Sequence, residues 1–184
     1  MRTAAAVLVL AAAVAGWDAS PAEARAPLAV KRFLIGHLEA NTDRFVATGA
    51  RGTDNVHRTD VILLVFNQPV NFSSLDLQTV AIGTPGAGGL LLRAEGAFYR
   101  SVLREYDEVS GQYVVKKTYR NRVIFDPTRR NDPAYLQNPA GFAASSNFTV
   151  TLPGLDQGIG RTVKSARGDF LQRTFRTTFR TLAQ

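Results

Sequence analysis

The chain has 184 residues, with 22 Lys and Arg against 15 Asp and Glu for a formal net charge of +7, and it has no cysteine. Disulfides, thiolate metal sites and cysteine nucleophiles are therefore excluded, and an exported form would have to be held by packing and hydrogen bonds alone. The arginines run from Arg25 to Arg180 with acids between them and no long basic tract, which reads as a basic solvated surface; no nucleic acid is expected as partner.

The N-terminus has a positive start at Arg2, an apolar block of 13 residues from Ala4 to Gly16, and small residues at Ala22 and Ala24 around Glu23. That is the layout of a secretory signal peptide, and the block falls short of the roughly 20 residues that span a bilayer. Cleavage after Ala24 is expected, leaving 160 residues (184 − 24) from Arg25 onward. No later segment is long enough to cross a membrane, so no stable span is expected after cleavage. The mature chain is expected to be exported to the periplasm, the cell surface or the medium. The length suits one domain. The expected division is signal peptide 1–24, an N-terminal segment or edge strand 25–54, and a β-sandwich 55–184.

In DVILLVFN, Ile62, Leu64 and Phe66 alternate with Val61, Leu63 and Val65, so both faces are apolar and the run reads as a central strand covered on both sides. Pro69, which cannot donate to a sheet ladder, marks its end. Ser73 or Ser74 is expected to cap a single helical turn, QTVAIGT is a short strand, and Pro85–Gly89 a loop. FYRSVLREYDEVSGQYVVKKTY reads as a hairpin turning at Ser110-Gly111. RVIFDP reads as a separate short strand ended by Pro127, and the stretch carrying Pro133, Pro139 and Gly141 as irregular. In NFTVTLPG the residues Phe148, Val150 and Leu152 share a face. In QRTFRTTFRT the residues Phe175, Thr177 and Phe179 face inward while Arg176 and Arg180 form a basic outer stripe. Short strands, turn residues at intervals and no long amphipathic helix give an all-β fold, an Ig-like antiparallel β-sandwich with an inserted hairpin.

VILLVFNQPVNFSSL, NRVIFDPT, NFTVTLPGL and GDFLQRTFRTTFRT, in that order, resemble the bacterial SbsA-type Ig-like (Big_5) domain family of surface-layer proteins. The matching positions are Ile62, Leu64, Phe66, Pro69 and Val70; Val123, Phe125 and Pro127; Phe148 to Thr151; and Phe175 to Thr181. The resemblance covers roughly residues 55–182 and departs from the family by a large insertion between Thr84 and Asn121. It implies a structural or adhesive cell-surface module.

Candidate chemistry is sparse. His37 and His57 lack metal-ligand spacing and read as surface histidines. Pro85–Gly89 lacks the Lys and Ser/Thr of a phosphate loop. Asp54, Asp60, Asp126, Asp132, Asp156 and Asp169 read as turn formers rather than as a calcium set. Arg167-Gly168-Asp169 reads as turn chemistry, and Asn71 and Asn147 as strand-end residues despite their glycosylation-type context. Glu95, Glu105, Asp107 and Glu108 are carboxylates of the type a sandwich hydrolase needs, but their place near a hairpin turn implies exposure. One cluster stands out: Tyr113, Lys116, Lys117, Tyr119, Arg120 and Arg122 combine cations with aromatic rings and form the expected polyanion contact. The sequence thus points to a non-catalytic secreted or cell-surface Ig-like module without cofactor or metal, acting as spacer or adhesion domain on other envelope proteins or glycans. The alternatives are a polyanion- or carbohydrate-binding protein and, behind it, a β-sandwich hydrolase.

Overall fold

The computed structural model describes residues 26–128, 141–158 and 160–183. The expected signal peptide and Asp132 lie outside them, as does most of the irregular stretch before Gly141. Within the described residues the strands are β1 Val30–Leu38, β2 Phe45–Gly49, β3 Val61–Phe66, β4 Ala81–Pro85, β5 Leu91–Arg93, β6 Ala97–Asp107, β7 Gln112–Asp126, β8 Asn147–Leu152 and β9 Phe175–Arg180. They form two antiparallel sheets, one ordered β2-β1-β3-β7-β6 and the other β5-β4-β8-β9. This is the antiparallel sandwich expected from the alternating runs.

The core lies between the sheets. Phe33 and Ile35 of β1, Ile62, Leu64 and Phe66 of β3, and Val123 and Phe125 of β7 face Ile82 of β4, Phe148, Val150 and Leu152 of β8, and Phe175 and Phe179 of β9. Phe148 and Phe179 stand opposite each other across the β8–β9 ladder and stack at 5.1 Å. Phe142, just ahead of β8, closes this cluster from the side, its ring 4.9 Å from Phe148, 5.1 Å from Phe179 and 6.1 Å from Phe125. Gly141 makes that insertion possible. Its φ is +61°, and a Cβ there would collide with the Arg58 carbonyl, which accepts the Phe142 N–H. The exposed edge of β9 is covered by the β2–β3 connector: Gly52 and Val56 donate to the carbonyls of Thr178 and Arg180, and Arg180 donates back to Thr53.

Three sequence expectations need correction, and a fourth, the cover of β3 on both faces, holds by an unexpected route. Residues 25–54 are not an edge segment ahead of the sandwich. They supply β1, which lies inside the larger sheet between β2 and β3, and β2, one of the two edges of that sheet. RVIFDP is not a separate strand but the end of the 15-residue β7, whose first half pairs with β6 and whose second half also pairs with β3. The short 3-10 turn Phe72–Ser74 is capped by Asn71, whose side-chain oxygen accepts from the N–H of Ser73, rather than by a serine. Finally, β3 is covered on both faces, but its second cover is no further layer. Val61 and Leu63, with Ile124, pack against Leu34, Leu38, Phe45 and Val65 of the same sheet, which curls over them.

Three carboxylates tighten loops. Asp156 accepts from the Thr174 hydroxyl and N–H, which hold its pKa below the usual carboxylate range; Ser110 does the same for Asp107. At Asp76 burial pushes the pKa up, but the N–H groups of Thr79 and Gln78, with Arg161, outweigh it. A folded-state pKa below the unfolded value near about 3.9 gives stability that is complete above that value and is lost as pH falls through the folded pKa. Asp156→Asn is therefore expected to be less stable than the parent at neutral pH, with the gap in urea unfolding narrowing below about pH 4; a gap that widens on acidification contradicts the assignment. Packing yields a second expectation. Phe66→Ala, Phe148→Ala and Phe142→Ala should each cost about 3–5 kcal/mol, and Arg176→Ala on the exposed face of β9 less than about 0.5 kcal/mol, as read from denaturant midpoints.

Candidate functional site

The curl of the five-stranded sheet makes a trough on the face turned away from the core. β2 and β6 are the two edges of that sheet, yet they approach each other at one end. The N–H of Arg104 on β6 donates to the carbonyl of Thr42 in the β1–β2 turn at 2.8 Å, and its Nε meets the Asp43 carboxylate at 2.7 Å. Asp43 sits at φ +52°, a conformation that Asp tolerates better than most residues, which turns its carboxylate toward β6. The groove between these two edges has a volume of about 750 Å³.

Backbone irregularities decide which side chains line it. On β1, Val30 pairs with Phe66 but Arg32 with Val65, so Lys31 is an extra residue; at such a bulge two successive side chains leave the same side of the strand, and both Lys31 and Arg32 line the groove. On β7, four residues from Tyr119 to Arg122 stand opposite the single Ser101 of β6. This wide bulge turns Tyr119, Asn121 and Arg122 toward the groove. The Asn121 amide is fixed by donation to the Phe66 carbonyl, and at the corner after β3 the Asn67 side chain accepts from Ala29 N–H and donates to the Pro27 carbonyl. The floor is apolar: Leu34, Phe45, Leu63, Val65 and Leu103.

The rim is cationic, with Lys31, Arg32, Arg44 and Arg122, and the lining contains no carboxylate. Arg122 lies 4.0 Å from the centre of the Tyr119 ring and Lys117 lies 4.9 Å from it, so the phenol ring carries two cations. A second concavity, of about 450 Å³, is polar and holds Asp76 beside Arg161 and Lys164. Its charges of both signs offset each other.

The six residues expected as a polyanion contact do not stay together. Tyr119 and Arg122 line the groove and Lys117 packs on Tyr119. Tyr113 lies near the tip of the hairpin, edge-on to Tyr106 at 5.5 Å. Lys116 is drawn to Glu105 at 3.8 Å, with both side chains more than half exposed. Arg120 is exposed, and its carbonyl accepts from Val70 N–H. Sequence reading missed Lys31, Arg32 and Arg44. The alternation of Arg32 and Leu34 against Phe33 and Ile35 in KRFLIGHL was the available signal, obscured by the bulge.

The remaining candidates fall on separate elements. His37 is exposed on β1; His57 is exposed in the β2–β3 connector, where its N–H donates to Asp60. Asp126 accepts from the Thr128 N–H and hydroxyl, and Asp169 accepts from Ser165, whose hydroxyl oxygen takes the N–H of Arg167 and Asp169 while Gly168 stands at φ +92°. The Arg-Gly-Asp tripeptide is thus wound into a closed turn. Glu95, Glu105 and Glu108 are exposed. Among the described residues no cluster of three or more His, Cys, Asp or Glu side chains is placed to hold a metal, and no helix is long and apolar enough to cross a membrane.

No family model and no curated protein matches the chain. Among solved structures it is similar to the N-terminal part of the bacterial S-layer protein SbsC, with a TM-score of 0.34 and 14% identity, covering 72% of this chain and 23% of that one. This chain therefore spans under a quarter of that neighbour's length, and so distant a likeness leaves the functional argument to the groove.

The closure of the groove is testable by itself. The Arg104–Asp43 pair is over a third exposed on both sides and is worth at most about 1 kcal/mol. Asp43→Asn, which keeps a residue tolerant of positive φ, should leave global stability within that margin. Amide hydrogen exchange at Arg104 should accelerate while the β3 amides stay protected; unchanged exchange at Arg104 would show that the pair does not hold the edges together.

Proposed function

We propose that this chain is an exported, non-catalytic Ig-like interaction module of the SbsA-type (Big_5) kind, working in the periplasm or at the cell surface, and that the curled outer face of the larger sheet is its binding face for an anionic partner. One observation carries the reading: four cationic side chains from β1, β7 and the turn before β2 converge on a single groove whose lining has no carboxylate. Such a surface attracts anions from solution, because like charges focused over a low-dielectric floor reinforce one another. The export half of the reading rests on the small residues Ala22 and Ala24 behind a short apolar block. A binding rather than a catalytic role is favoured by where the carboxylates go: Asp60, Asp126, Asp156 and Asp169 accept hydrogen bonds that close turns, and Glu105 lies beside a lysine in solvent. This reading centres the contact on the groove rather than the hairpin tip, keeping Tyr119 and Arg122 and adding Lys31, Arg32 and Arg44.

Dextran sulfate is a suitable probe. Its binding is expected to weaken steeply between low salt and 1 M salt, since Lys31, Arg32 and Arg44 are exposed and screened and Arg122 is only partly buried, and to fall at least about tenfold in the Arg44→Glu/Arg122→Ala double variant. Binding that persists at 1 M salt or ignores the double variant would sink the proposal. So would glycosidase or esterase turnover abolished by one carboxylate substitution.

A further inference from the structure

The groove has more than charge. A hydrated polyanion gains from cations on any ridge, and Arg176 and Arg180 on the exposed face of β9 already provide one. The groove differs in its floor, where Leu34, Phe45, Val65 and Leu103 remain only partly buried beneath the cationic rim, next to the fully buried Val61 and Ile124. An apolar floor inside a charged rim rewards a ligand that brings an apolar part together with its negative group, because each methylene moved out of water adds to binding. The volume of about 750 Å³ is in the range that accepts a small ligand.

We propose that the groove binds a single-chain anionic amphiphile, its phosphate or carboxylate head held by Arg32 and Arg122 and its acyl chain laid along β3 over Leu63 and Val65. This rests on the reading of the groove as the binding face and adds the acyl chain to it. The head has its partners where the bulges deliver them: Arg32 and Arg122 flank Val65 from the two neighbouring strands, each paired directly with it. One charged group can therefore be gripped from both sides above the same floor residue. The guanidinium fork suits an oxyanion of this kind, because it donates two parallel hydrogen bonds. From there the chain runs toward Phe45 and Leu63, away from the solvent-exposed corner at Asn67.

The test is titration calorimetry of the mature full-length chain with inorganic phosphate and with hexyl, octyl and decyl phosphate, each below the concentration at which it forms micelles. Affinity should rise by about twofold to fourfold per added methylene, decyl phosphate should displace dextran sulfate, and Arg122→Ala should weaken every alkyl phosphate by at least about fivefold. Leu103→Ser should flatten the chain-length dependence; the series on the parent protein carries the same information should that variant not fold. Alkyl phosphates that bind no better than inorganic phosphate, while dextran sulfate still binds through Arg44 and Arg122, overturn the amphiphile and leave the anion-binding module standing. Chain-length dependence that ignores Arg122→Ala also overturns it, by placing the chain on other exposed apolar residues such as Leu90 and Leu92. Failure of both probe types to bind removes the amphiphile and the binding face together.

Discussion

β3 carries apolar side chains on both faces, and a two-layer sandwich offers a partner layer to only one of them. Ile62, Leu64 and Phe66 take the smaller sheet, which leaves Val61, Leu63 and Val65 facing the other way. Leaving three such side chains in water would forgo roughly 1.5–3 kcal/mol for each one fully exposed. The larger sheet resolves this by bending round its own central strand until the β1–β2 turn meets β6. Val61 and Leu63 become buried, and Val65, nearest the open end, stays half-buried.

Curling a sheet has a geometric requirement, since a flat regular ladder does not close on itself. The bulges at Lys31, at Ile35–Gly36, across Tyr119–Arg122 and between Leu103 and Arg104 supply the extra twist. At Gly36 β2 comes so near that a Cβ would collide with the Val46 carbonyl, which explains a glycine in the middle of an otherwise bulky strand. The same irregularities turn consecutive polar side chains to one side. The cations of the groove are thus placed by the features that let the sheet close, and the proposed binding face follows from the burial of β3 with no separate structural element.

What the sequence disclosed depended on whether alternation was intact. β3, β8 and β9 are regular, so their inward residues were legible down to Thr177 between Phe175 and Phe179, and the hairpin announced itself through Gly111. Alternation failed as a guide wherever a bulge shifts the parity: β7 looked like two strands because Tyr119–Arg122 break its period, and KRFLIGHL concealed both its central position and its two groove cations behind the bulges at Lys31 and Gly36. Phe142 was illegible for another reason. It reaches the core from a connector, and only the left-handed Gly141 beside it hinted that the chain turns inward there. The cationic hairpin was recognised by composition, yet composition cannot separate Tyr119 and Arg122, at the base of the hairpin, from Tyr113 near its tip.

The two faces of β3 are held with very different strength, and this bears on how a ligand could be admitted. The core face is locked by the stacked and tilted rings of Phe125, Phe142, Phe148 and Phe179, whose removal costs several kcal/mol apiece. The groove face is held by the packing of Leu34, Leu38 and Phe45 around Val61 and Leu63, and at its far end the sheet edges are joined by one backbone hydrogen bond and one half-exposed ion pair, each worth about 1 kcal/mol. Local opening of that end therefore costs far less than unfolding the domain, and such low-stability contacts are where binding sites can move. A ligand on the floor would replace the water that Val65 and Leu103 now meet and would favour the closed arrangement by the burial it adds. A ligand bound there would thus meet a rigid back, the core face of β3, and a groove whose most easily parted contacts are those between Arg104 and the β1–β2 turn.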